Sequence, residues 1–368
     1  MQSLFAFMQS KESHYNIGKQ NIDKSFARDL NSMEVQDTVL LSAQCEESKK
    51  LYKQYFKQKG VEVKESEDLK VNQVTSETIA EYYINVEKDR KFFRSTMVAE
   101  AEKISERYVL MLQLMVEFAK FAETDKRIEG KNFVNNMLIA ALKSNKSLEN
   151  VILKHNLSWT REEDDLKSWY LELLRRDATF IDYLKKQEPS FSDDVEIVQY
   201  LVKAIFKNDM VASFMEEKDI NWSEDRAIVR SMVLKTLKEV TEEGGENFKL
   251  MELSYDWEED KAFFIKLYDA TLDLEVEYKD MIAQRTKNWD IDRLAAVDRI
   301  ALEMGVAEML NFQSIPVKVT INEYIELVKN YSTPKSKQFI NGILDTISKD
   351  LTENGKIKKS GRGLIDNR

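Results

Sequence analysis

The side chains that could do chemistry in this chain are few, and most are the wrong kind for catalysis. Cys45 is the single cysteine, and His14 and His155 are the two histidines. That excludes a disulfide framework and a cysteine-based zinc site, and leaves little material for histidine metal chemistry. No glycine-rich phosphate loop, G-x-S-x-G run or H-E-x-x-H run occurs, although nucleotide, acyl-transfer and zinc-protease chemistries depend on such arrangements. The carboxylate pairs Glu162/Glu163 and Asp164/Asp165 lie in a polar run and read as a solvated helix surface. The chain is therefore read as a non-enzyme with no cofactor and no metal. What remains is phosphate chemistry. Lys335, Ser336, Lys337 and Gln338 follow Ser332-Thr333-Pro334, a helix-opening run with proline predicted at the first helical position. Two ammonium groups beside the free N–H groups of a helix start form an anion site. A glycine-containing basic stretch, Lys356 to Arg362, reads as a disordered tail, either a solvated terminus or one that touches nucleic acid.

Charge distribution supports that focus. The 368 residues are net −10, the wrong sign for a nucleic-acid binder taken as a whole. The charge is uneven: residues 1–260 are net −11, residues 261–368 net +1, and the chain from Ile315 onward net +4. A basic end sits on an acidic body. No apolar run approaches the roughly 20 residues of a membrane span. MQSLFAFMQS lacks a basic leader and a small-residue cleavage site. The expectation is a cytoplasmic protein with no membrane partner.

The elements that would position these residues are helices. With 10 Gly and 3 Pro, the chain has too few turn residues for a β-sandwich or barrel. Tyr108, Met111, Leu112, Met115, Phe118 and Ala119 form one apolar stripe at helical spacing, read as core. Residues 61–78 are polar and charged and read as a linker. Gly244-Gly245 marks a break between a helix ending near Val240 and one near Phe263. Asn221-Trp222-Ser223-Glu224-Asp225-Arg226 recurs as Asn288-Trp289-Asp290-Ile291-Asp292-Arg293, with Phe191-Ser192-Asp193-Asp194 as a weaker copy. Each opens an apolar helix, with Ser223 and Asp290 at the expected N-cap and the tryptophan stapled beneath. This reads as stacked helix pairs. Further on, Thr320 with Glu323 reads as a capping box opening a helix through Ile321, Tyr324, Ile325 and Val328. The next helix buries Phe339, Ile340, Ile343, Leu344 and Ile347, with Gly342 read as permitting close helix approach.

The runs IPVKVTINEYIELVK and SKQFINGILDTI, with NWDIDRLAAVDRIALEMGVAEML upstream, resemble the C-terminal signature of the NusB transcription antitermination factor family. MQSLFAF resembles that family's first helix. The resemblance covers roughly 261–352 well and 1–10 weakly. It implies an all-α fold, a NusB-like helical bundle at the C-terminus with an additional helix-pair region in the middle. Residues 1–12 would be the first helix, 13–250 an acidic helical extension, 255–352 the NusB-like domain and 353–368 a basic tail. It also implies binding of boxA-type single-stranded RNA together with NusE, a small-subunit ribosomal protein, within the RNA polymerase antitermination complex on ribosomal RNA operons. The RNA-facing helix start corresponds to Lys335, Ser336, Lys337 and Gln338, and Gln2 and Lys318 complete the RNA-binding set. Family members often carry an acidic residue where this chain has Lys335. The contacts to NusE fall on Phe5, Asp292 and Asp298, which read equally as a core aromatic and helix-start carboxylates. The family's first helix begins with an Arg/Lys cluster, whereas this chain opens on Met1-Gln2-Ser3 with no basic residue before Lys11. The reading is that Met1 is internal to a longer product, and that RNA affinity without that cluster is weaker and less salt-dependent. The competing reading is a helical protein-interaction scaffold without direct RNA binding.

Overall fold

The computed structural model describes residues 1–31, 33, 35–58, 64–127, 131–286 and 296–367. The fold is all-α, with no strand among the described residues. The helices are α1 (Gln2–Ser25), α2 (Thr38–Lys57), α3 (Leu69–Thr124), α4 (Met137–Ser144), α5 (Lys146–His155), α6 (Glu163–Trp169), α7 (Ala178–Leu184), α8 (Phe191–Ile205), α9 (Asp209–Lys218), α10 (Trp222–Glu239), α11 (Trp257–Leu272), α12 (Val276–Thr286), α13 (Ala296–Asn311), α14 (Val317–Tyr331) and α15 (Ser336–Glu353). Two compact units divide the chain: Met1–Val98 with Lys261–Arg368, and Ala99–Asp260. The acidic extension is thus not one body, because residues 13–98 belong with the C-terminal helices.

In the first unit α13 is central. Every residue from Ile300 to Met309 is buried, the pattern of a helix covered on all sides. α14 and α15 pack on it and on each other, and α1 and α12 also touch α13. Gly305 sets the close approach, since a Cβ there would lie 3.1 Å from both Leu344 methyl carbons. Gly342, expected to play that part, has nothing within 4 Å of a built Cβ. A smaller aromatic cluster ties α1, α2 and α3 together through Tyr15 stacked on Tyr52 at 5.3 Å and Phe56 edge-on to Tyr82 of α3 at 4.6 Å.

Arg90 on α3 donates to Asp273 at 2.7 Å and to Asp269 at 3.2 Å, holding α3 to α11 and the turn after it. The guanidinium keeps the Asp273 carboxyl below its ordinary value. A depressed carboxylate contributes stability above its unfolded pKa of about 3.9 and loses it as pH falls towards the folded value. The stability difference between the native chain and Arg90→Met should therefore shrink as pH is lowered from neutrality to below about 4 in urea titrations. An unchanged difference across that range would refute the linkage.

In the second unit the Tyr108–Ala119 stripe is buried as expected and joins one large core with Trp169, Trp222 and Val233. α8 opens on a capping box between Ser190 and Asp193. Asp194, next to it, is buried and accepts from the Met137 N–H and the Tyr183 hydroxyl, both at 2.6 Å. Trp222 is buried and stacks on Phe206, as its staple role required. The cap of that helix is Asn221 rather than Ser223, with no side-chain hydrogen bond at the cap. Asp225 is instead drawn to Arg107 at 2.6 Å, in a cluster that also holds Asp219 and Glu100. The second copy of the motif, Asn288 to Arg293, lies outside the described residues.

Three local expectations give way to long-range packing. Residues 69–78, read as linker, form the first turns of the 56-residue α3. They are anchored by the buried Val71, Thr75 and Thr78, so their polar residues mark an exposed helix face. Thr320 is not an N-cap: α14 starts at Val317 after Pro316, and Thr320 is fully buried one turn inside. The basic tail folds back. Ile357 is buried, the Ser360 N–H donates to the Gln313 carbonyl, and a short 3-10 helix spans Gly361–Asn367. A Cβ at Gly363 would collide with the Gln313 carbonyl, so the glycine permits that return.

Candidate RNA-binding face

The site is built on the turn between α14 and α15. Ser332 ends α14, and Pro334 and Lys335 form a turn, so the regular helix opens at Ser336, later than proline at the first position would give. Lys335, Lys337 and Gln338 are exposed around that opening. Ser336, expected with them, points inward and is 4% exposed. Its hydroxyl donates to Asp298 Oδ2 at 2.7 Å and lies 2.8 and 3.0 Å from the Ser332 and Thr333 hydroxyls. Ser336 is therefore a residue that positions the lysines.

Asp298, assigned to a partner surface, is the other half of that contact and is 5% exposed. Buried at the start of α13, it fixes where α15 begins. A charge-assisted hydrogen bond of this kind is worth about 1.5–3 kcal/mol. Asp298→Ala should therefore lower stability by about 2 kcal/mol and couple strongly to Ser336→Ala. Additive losses in a double-mutant cycle would show that the two side chains act independently. Asp292 lies outside the described residues.

Between α13 and the first half of α14 is a polar pair of contacts that the sequence did not reveal. Glu308 on α13 is 5% exposed and accepts from the Thr320 hydroxyl at 2.7 Å and the Tyr324 hydroxyl at 2.9 Å. Burial, followed by the adjacent Glu308, pushes the Tyr324 hydroxyl well above its ordinary value, so it stays a donor. The one available signal was a carboxylate alone among apolar residues in Met304–Leu310.

The other assigned positions do not all converge. Lys318 is exposed in the first turn of α14. The lysine turn follows the far end of that helix, roughly 20 Å away along its axis at about 1.5 Å per residue. Lys318 is thus not part of the lysine cluster. Lys337 lies close enough to Glu326 to help Lys329 hold that carboxyl below its ordinary value. Gln2 is exposed at the start of α1. Phe5, one turn on, is 38% exposed while Leu4 and Phe7 beside it are buried, leaving its ring on the outer face.

The sequence model of the NusB family matches residues 227–349. Relatives named transcription antitermination protein NusB are similar over part of the chain. The protein from Salinibacter ruber is 39% identical over 145 residues, which cover 38% of this chain and 91% of that protein. The one from Chloroherpeton thalassium is 40% identical over 106 residues, 29% of this chain and 50% of that protein. The one from Bacillus licheniformis is 36% identical over 126 residues, 34% of this chain and 98% of that protein. No solved structure matches.

Proposed function

This chain belongs to the NusB family, and from that premise we propose that it is a transcription antitermination factor that binds a boxA-type single-stranded RNA together with NusE. It would act in the cytoplasm within the RNA polymerase antitermination complex on ribosomal RNA operons, as a non-enzymatic factor. The observation that carries the RNA reading is the exposed set Lys335, Lys337 and Gln338 on a helix start pinned from below by Ser336 and Asp298. Cations on a fixed turn lose less freedom when they meet phosphate than cations on a loose loop. Gln338 adds a donor and an acceptor suited to a splayed base edge. Phe5 supports the partner reading, since an aromatic side chain more than one-third exposed is a fitting interface anchor.

The test is binding of a labelled single-stranded boxA-type RNA to the full chain, with and without purified NusE, at about 50 and about 200 mM salt. Cooperative binding that needs NusE and weakens with salt is expected. NusE binding that is identical with and without RNA, with no RNA bound under any condition, would replace this reading by the protein scaffold.

A further inference from the structure

The second unit holds a feature that RNA binding does not use. A cleft of about 670 Å³ opens between α3, α5 and the segment 252–257, inside the range of roughly 300–1,000 Å³ that ligand pockets occupy. Its apolar lining comes from Ala99, Val151, Leu253 and Trp257. Trp257 is held in place by donating its indole N–H to Glu102 at 3.0 Å. Two of the three basic residues in the lining are already engaged, Lys103 by Glu100 at 2.6 Å and His155 by Glu106 at 3.0 Å, and the third, Lys154, is exposed. Glu252, also lining the cleft, is exposed.

The chain segment that forms one wall of this cleft is strongly acidic. Residues 242–260 carry eight Asp and Glu against one Lys, and Asp256, Glu258 and Glu259 are exposed. Such a field repels a polyanion and draws in cations. An apolar cleft with an aromatic wall and an acidic surround suits a hydrophobic anchor flanked by positive charge. We propose that this cleft docks a lysine- and arginine-rich segment of a partner protein, which inserts one apolar side chain against Trp257 and Leu253 and sets its basic side chains against Glu252 and the acidic segment that follows. The cleft belongs to the second unit and the lysine turn of α15 to the first, and it gives the acidic half of the chain a role of its own.

The experiment is fluorescence anisotropy on the full chain with a short labelled peptide of Lys and Arg around a central Leu-Phe pair. Two control peptides replace either that pair by serines or all the basic residues by glutamates. The first peptide should bind, and each control should bind at least about tenfold more weakly, the scale of one interface anchor or one charge complement. Glu252→Lys, a change at an exposed position, should weaken the first peptide by about tenfold, and Leu253→Arg should abolish its binding. Circular dichroism confirms that each variant is folded. Lys335→Glu with Lys337→Glu should leave peptide binding unchanged, which separates this result from that of the RNA reading. Equal binding of the serine control would show that charge alone acts and overturn the proposal. Equal binding of the glutamate control, or no binding of the first peptide, would overturn it as well.

Discussion

Glu308→Ala will destabilise the chain by about 3–5 kcal/mol, more than any exposed substitution in the first unit. The carboxylate is buried in α13 and receives two hydroxyl hydrogen bonds from α14. Its removal strands both donors, at about 1–3 kcal/mol each, and leaves a cavity behind. Thr320 has a second acceptor in the Pro316 carbonyl, but at 3.4 Å that bond is long, and the Tyr324 hydroxyl is held by Glu308 at 2.9 Å. Glu308→Gln should cost only about 1 kcal/mol, because the amide oxygen still accepts and hydroxyls can reorient towards the NH2 group. Glu308→Leu combined with Tyr324→Phe should recover part of the loss of Glu308→Leu alone, since an absent polar pair is cheaper than a stranded partner. Urea unfolding of the four variants checks the series. A loss below about 1 kcal/mol for alanine would mean that the pair is incidental to α13–α14 packing.

That carboxylate also shows where the sequence stopped being readable. The all-α class was legible, because helical period and scarce turn residues are local properties. So was the burial of the apolar stripe from Tyr108 to Ala119 and of Phe339, Ile340, Ile343, Leu344 and Ile347. The errors share one cause. T-x-x-E at Thr320 has the same local appearance whether the threonine caps a helix or lies one turn inside it. Proline at 316 and a carboxylate twelve residues upstream decided for the second. Ser336 looked like a solvent-facing member of a basic cluster because its partner, Asp298, is 38 residues away. The contact that Asp298 makes from the start of α13 was hidden for the same reason. Glycine at 342 and glycine at 305 are indistinguishable by sequence, and only the position of Leu344 separates them. Lys335, Lys337 and Gln338 are exposed, a local property that needs no distant partner to be legible.

Lys335→Glu with Lys337→Glu is expected to lower affinity for boxA-type RNA by about 10- to 100-fold near physiological salt and to change its salt dependence. Each lysine facing a phosphate of a single strand releases about 0.7 of a counterion, so losing both contacts should lower the slope of log affinity against log salt by about 1.4. The substitutions are local: both side chains are exposed, and the Ser336–Asp298 bond that fixes the turn is untouched. Stability should therefore stay within about 0.5 kcal/mol of the native chain. NusE binding in the absence of RNA should not move either, since Phe5 lies on α1. Lys318→Glu gives the contrast. Roughly 20 Å along α14 from the turn, it should weaken long RNAs and leave the shortest bound RNA unaffected. Lysine variants that lose stability or NusE binding along with RNA would assign the turn to the fold. Unchanged RNA affinity and slope would remove these lysines from the RNA site altogether, and with them the main structural support for reading this face as the one that meets RNA.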